Sequence, residues 1–144
     1  MERYEDMIKF NIDDFVRYCK ENKDYYTGYC EIIIDPYGYI IPAIPSHTET
    51  VISYAAEKEN KSKGEICDEI SPFYSPLSWC IDKYGLLAVW HNGYIHGTYK
   101  RNQPNRFQRR TIDILKEHKL IRTDWINPTR EYGLYLERKA NGWE

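Results

Sequence analysis

Two histidines, a tyrosine and a run of arginines are the residues of this chain whose types and spacing could do chemistry. His91 and His96 lie five positions apart with Tyr94 between them. An imidazole titrates near neutrality and binds metals, so the pair could act as acid and base or as two metal ligands. A metal would need a third ligand, and no Cys, His, Asp or Glu pattern nearby supplies one at a recognised spacing. Downstream, residues 99–122 hold eight Lys/Arg against only Asp113 and Glu117, with Tyr99 and Phe107 inside the run. Guanidinium groups grip phosphate bidentately, and aromatic rings stack bases. Arg101, Arg106, Arg109 and Arg110, with His91, Tyr94 and His96 as neighbours, are therefore the candidate contacts for an anionic ligand such as a nucleic acid or a nucleotide. No residue is nominated as catalytic, and no pattern asks for a cofactor. Ser46-His47 is not a hydrolase pair, because no Gly-x-Ser-x-Gly elbow surrounds the serine.

These residues are positioned by a hairpin and a helix. Asn92-Gly93 predicts a two-residue type I′ turn between strands at 86–91 and 94–99. That register pairs Val89 with His96 and Trp90 with Ile95. It groups His91, Tyr94 and His96 with Leu87 and Val89 on one face, and turns Ala88, Trp90 and Ile95 towards the core. A helix is expected over 104–118, with Pro104 in its first turn and Asn102 or Gln103 as cap. Its inward face would carry Phe107, Thr111, Ile114, Leu115 and His118.

The rest of the chain supplies the scaffold. Tyr4, Met7, Ile8, Ile12, Phe15, Val16 and Cys19 recur at helical spacing and predict a helix over 3–21. Residues 29–34 and 39–44 read as a second hairpin about Asp35-Pro36-Tyr37-Gly38, a type I turn sequence. The unbroken apolar run Ile32-Ile33-Ile34 predicts a strand covered on both faces, and Pro42 predicts a sheet edge or a bulge. Ser46 and Glu49 form a capping-box spacing ahead of a helix at 47–59, with a narrow apolar stripe and Gly64 as its stop. Residues 65–70 allow one helical turn or two. Ser75-Pro76 opens a further short helix that closes at Gly85, and 132–137 reads as a last strand. The order helix, short helix, helix, hairpin over 46–99 is that of a winged helix, but 76–84 offers Lys83 as its only cation to a DNA groove.

A chain of 144 residues fits one domain and buries roughly 68–70% of the surface its unfolded form exposes. Fourteen tyrosines bring apolar rings with polar tips, suited to half-buried sheet faces and to interfaces. The net charge of −2 hides a split: residues 1–82 carry 8 Lys/Arg and 16 Asp/Glu, whereas 83–144 carry 12 and 6. The four cysteines show no Cys-x-x-Cys pair, the N-terminus has no apolar leader, and no apolar run reaches the ~18 residues of a membrane span. Reduced, core-filling thiols and a cytoplasmic location without membrane contact are the expectation.

Residues 35–48 and 108–116, together 23 positions, resemble small uncharacterised proteins of bacteria and their phages. That resemblance implies the bacterial cytosol and an accessory role, and it assigns no site. The combined reading is a single α+β domain over 1–144. Two hairpins and a C-terminal strand form a mostly antiparallel sheet packed against about four helices. The expected function is non-catalytic binding. A protein partner of an adaptor or inhibitor type comes first, a nucleic acid or phosphorylated ligand at the basic segment second, and an enzyme using His91 and His96 third.

Overall fold

The computed structural model describes residues 8–22, 31–89, 104–121 and 142, and the backbone of 95 and 96. Nine elements follow one another: α1 (Ile12–Glu21), β1 (Ile32–Ile34), β2 (Ile40–Pro42), α2 (His47–Glu59), α3 (Lys63–Glu69), α4 (Pro76–Tyr84), β3 (Leu87–Val89), β4 (Ile95–His96) and α5 (Arg106–Glu117). The strands form one antiparallel sheet in the order β2-β1-β3-β4. The α+β class and the antiparallel sheet are as expected, with five helices where about four were anticipated. The expected strand at 132–137 lies outside the described residues.

Strand β1 organises the core because its three isoleucines are all fully buried. Alternation sends Ile32 and Ile34 to one face, where Phe15 and Val16 of α1 and Ile112 and Leu115 of α5 cover them. Ile33 goes to the other face, against Val51 and Ala55 of α2, Ile66 of α3 and Ile81 of α4. The result is three layers, with α1 and α5 on one side of the sheet and α2, α3 and α4 on the other. Helix α2 is buried over every residue from Thr50 to Ala56, not along a narrow stripe, because α3 and α4 pack on the flanks that the sheet leaves open.

Local signals set most boundaries. Ser46 caps α2 and accepts the Glu49 N–H at 3.2 Å, while the Glu49 carboxylate turns away to Lys63 Nζ at 2.8 Å. Asn60, in the left-handed region at φ 54°, ends that helix. Gly64 does not stop it. Ser62 and Glu65 build a full capping box that starts α3 across Gly64. Ser75, Pro76 and Gly85 bound α4 as expected.

Helix α1 begins later than its periodicity predicts. Asn11 caps it by accepting the Asp14 N–H, and Phe10 is held extended by two 2.8 Å backbone bonds to Ile40. The same bonds occupy the outer margin of β2. In this ladder Tyr39 O faces inward, accepting the Asp35 N–H, and Ala43 donates inward to Glu31 O. Alternation therefore points residues 40 and 42 outward. Ile40 is taken by Phe10, and Pro42 has no N–H to offer.

Candidate functional site

Helix α5 is set against the β1–β2 turn by three polar residues spaced one helical turn apart. Asn105 Nδ2 donates to Pro36 O at 2.8 Å. Gln108 Nε2 donates to Gly85 O at 2.8 Å and stands 3.4 Å from Ile34 O. Thr111 Oγ1 donates to Gly38 O at 2.7 Å. Asn105 is also the helix cap, in a reciprocal capping box with Gln108. The cap is therefore neither Asn102 nor Gln103, and Pro104 precedes the helix. Thr111 and Leu115 are buried as expected, and Gln108, which the expected face omitted, is buried with them. Phe107 is 45% exposed and His118 is exposed, so neither belongs to the inward face.

The turn itself rests on a buried carboxylate. Asp35 Oδ1 accepts the Tyr37 and Tyr39 N–H groups, both at 2.9 Å, and so fixes the backbone that carries both tyrosines. Burial raises the Asp35 pKa, opposed by these N–H bonds and by the charges of Lys9 and Lys58. A folded state that holds its proton more tightly than the unfolded one loses stability as pH rises through the folded pKa. Asp35→Asn keeps the oxygen acceptor and removes the charge. Denaturant unfolding of the two proteins should give equal stabilities at the acid end of the aspartate range, with the variant gaining on the wild type as pH rises to neutrality. A variant that is less stable at pH 7 would mean that the charged N–H bonds outweigh burial.

Clamped together, α5, the turn and the start of α1 enclose an open groove of about 280 Å³. Its walls include Asn11, Asp13, Tyr37, Tyr39, Phe107 and Arg110, over a floor of Gly38 and Thr111. Tyr37 is 66% and Tyr39 44% exposed. Arg106, one helical turn before Arg110, lays its guanidinium 4.8 Å from the centre of the Phe107 ring. Among the described residues, no carboxylate forms an ion pair with Arg106, Arg109 or Arg110. Asp13 of the acidic half nevertheless lines the same groove as Arg110. Arg109 points elsewhere, its Nε donating to Pro104 O at 3.0 Å.

The sequence-predicted site is thus redistributed. Arg110 lines the groove and Arg106 flanks it. His91, Tyr94 and Arg101 lie outside the described residues. His96 lies on β4 opposite Ala88, with Ile95 opposite Val89, one residue away from the expected pairing of Val89 with His96. The face assignment built on that pairing fails, since a one-residue slip exchanges the two faces. Residues 90–94, and with them the expected Asn92-Gly93 turn, lie outside the described residues. Asn-Gly specifies a turn, not the number of residues around it. Strand β3 is also buried at Leu87, Ala88 and Val89 alike, so no open face exists along it.

The remaining reactive groups are occupied structurally. His47 is buried with Nε2 3.0 Å from Val89 O, and Ser46 is a cap, which leaves no hydrolase pair. Cys19 and Cys80 are core residues, as expected, but Cys67 is exposed, and Cys30 lies outside the described residues. Burial pushes the Cys80 thiol up to about 12, so it stays protonated and unreactive. Among the described residues no group of three or more His, Cys, Asp or Glu could hold a metal ion, and no helix is long and apolar enough to cross a membrane. Helix α4 is no DNA reader: Cys80 and Ile81 are buried, and Lys83 pairs with Glu59 and covers the Trp79 ring.

Sequence reasoning placed Arg106 and Arg110 but missed Tyr37, Tyr39 and the outward turn of Phe107. Tyr37 and Tyr39 flank the glycine of a turn, where side chains project from the sheet end, and that local signal was available. No protein-family model matches the chain, and no match was found among curated proteins or solved structures.

Proposed function

We propose that this chain is a non-catalytic protein-binding module, of an adaptor or inhibitor type, acting in the cytoplasm of a bacterium or in a cell infected by its phage. The observation that carries the reading is the groove: three exposed aromatic rings, Tyr37, Tyr39 and Phe107, beside two arginines that no carboxylate pairs among the described residues. Tyrosine and arginine are enriched among the few residues that dominate interface energies, and they do so in shallow, desolvated centres of this kind.

A second reading uses the same residues for single-stranded nucleic acid, with rings stacking bases and arginines meeting phosphates. The unpaired arginines favour it, and the net charge of −2 weighs against it. The enzymatic reading through His91 and His96 gains no support from a described residue.

Affinity capture from a native lysate, with and without nuclease, separates the readings. The wild-type chain should retain a protein partner after nuclease treatment, and Tyr37→Ala/Phe107→Ala should lose it while unfolding at a similar temperature. Capture that disappears with nuclease, and a log–log salt slope of about −3 to −4 for about four to six phosphates on single-stranded DNA, would replace the protein reading. Equal capture by wild type and double variant would remove the groove from either.

A further inference from the structure

A second protrusion stands on the far side of the sheet. Phe73, in the loop between α3 and α4, is 94% exposed, and Tyr74 beside it is 42% exposed. The loop is not slack around them. The Phe73 N–H donates to Ser71 Oγ at 3.3 Å and the Tyr74 N–H to Ser71 O at 3.0 Å. Pro72 precedes the pair, and Pro76 follows it as the first residue of α4. A bare ring on a fixed backbone can be buried in a partner with little ordering cost. Asp68, exposed near the end of α3 and five residues before Phe73, forms no ion pair among the described residues, whereas the Glu65 carboxylate accepts the Ser62 N–H in the capping box of α3. Glu69 is already taken by Lys61.

The chain carries the complement to this surface. The groove is lined by the rings of Tyr37, Tyr39 and Phe107 and by Arg110, with Arg106 beside it. It belongs to the layer of α1 and α5, whereas Phe73 belongs to the layer of α2, α3 and α4. One copy cannot fold its own Phe73 into its own groove across the sheet. We propose that Phe73 of one copy docks into the Tyr37/Phe107 groove of a second copy, with Asp68 facing Arg106 and Arg110. The contact joins two different patches, so it is head-to-tail and leads to open chains or rings, not to a two-fold dimer. It rests on the groove being the docking surface. It adds that, without a foreign partner, the same groove is filled by a neighbouring copy.

Sedimentation velocity of the full chain, from micromolar to about millimolar concentration, tests it. The wild type should shift to larger species as concentration rises, and the shift should weaken in ~0.5 M salt, where exposed charges are screened within a few ångströms. Phe73→Ala, a change at an exposed position, should weaken association by about tenfold or more. The deciding arm mixes two variants. Phe73→Ala keeps the groove, Tyr37→Ala/Phe107→Ala keeps the protrusion, and each alone should stay monomeric. Mixed, they should form a 1:1 heterodimer that cannot extend. A wild type monomeric throughout, association unchanged in Phe73→Ala, or no heterodimer on mixing overturns the self-docking. Because Phe73 lies outside the groove, Phe73→Ala should still capture a foreign partner. Tyr37- and Phe107-dependent capture by a strictly monomeric protein would therefore overturn self-docking alone.

Discussion

Gly38→Ala should destabilise the chain by about 2–4 kcal/mol, the sum of a conformational and a steric cost. Gly38 has φ +88°, a conformation that L side chains rarely adopt. A Cβ there would stand 2.9 Å from Phe107 O and 2.9 Å from Thr111 Oγ1. Thr111 could rotate, but only by giving up its 2.7 Å bond to Gly38 O. The Phe107 carbonyl is helix backbone and cannot yield alone. The turn must move away from α5, and it carries Tyr37 and Tyr39 with it. Urea denaturation measures the loss, and partner capture should fall with it because the groove floor has shifted. A loss under 1 kcal/mol would mean that the turn and α5 separate freely, contrary to the clamp.

Gln108→Leu should cost about 2–4 kcal/mol although it places an apolar residue of similar size at a buried position. Hydropathy alone predicts the opposite sign. The amide donates to Gly85 O and accepts the Asn105 N–H at 3.0 Å, and leucine replaces neither bond. One loop carbonyl and one helix-start N–H, both in partly buried bonds, would lose their partners, each costing up to roughly 1–3 kcal/mol. Equilibrium unfolding would expose the effect, and a variant as stable as the wild type would show that water serves both groups.

These two positions also mark where the sequence stops being legible. Signals that act within a few residues were readable: Ser46 to Glu59 for α2, Ser75-Pro76 and Gly85 for α4, and the triple isoleucine for a doubly covered strand. Features set by distant residues were not. The start of α1 depends on Phe10 pairing with Ile40, which interrupts an apolar periodicity that continues upstream. The seating of α5 depends on carbonyls at Pro36, Gly38 and Gly85, some 20 to 70 positions away in sequence. Gln108 and Thr111 are buried for those carbonyls, and Phe107 is turned outward as a result. The arginines of the site were visible as composition. The rings that make a groove of it come from the β1–β2 turn, and only tertiary structure sets them beside α5.

The closed margin of β2 has a consequence for how recognition by this protein can change over time. With Ile40 engaged by Phe10 and Pro42 lacking a donor, a visiting strand finds no backbone ladder to extend there. Binding on that side must be read through side chains, and those of Tyr37, Tyr39, Arg106, Phe107 and Arg110 project from the scaffold without holding up either core. Each can be exchanged singly at little cost to folding. A partner's escape mutation can be answered here by one substitution, while the residues that keep the surface in place, Asp35, Gly38 and Gln108, stay constant.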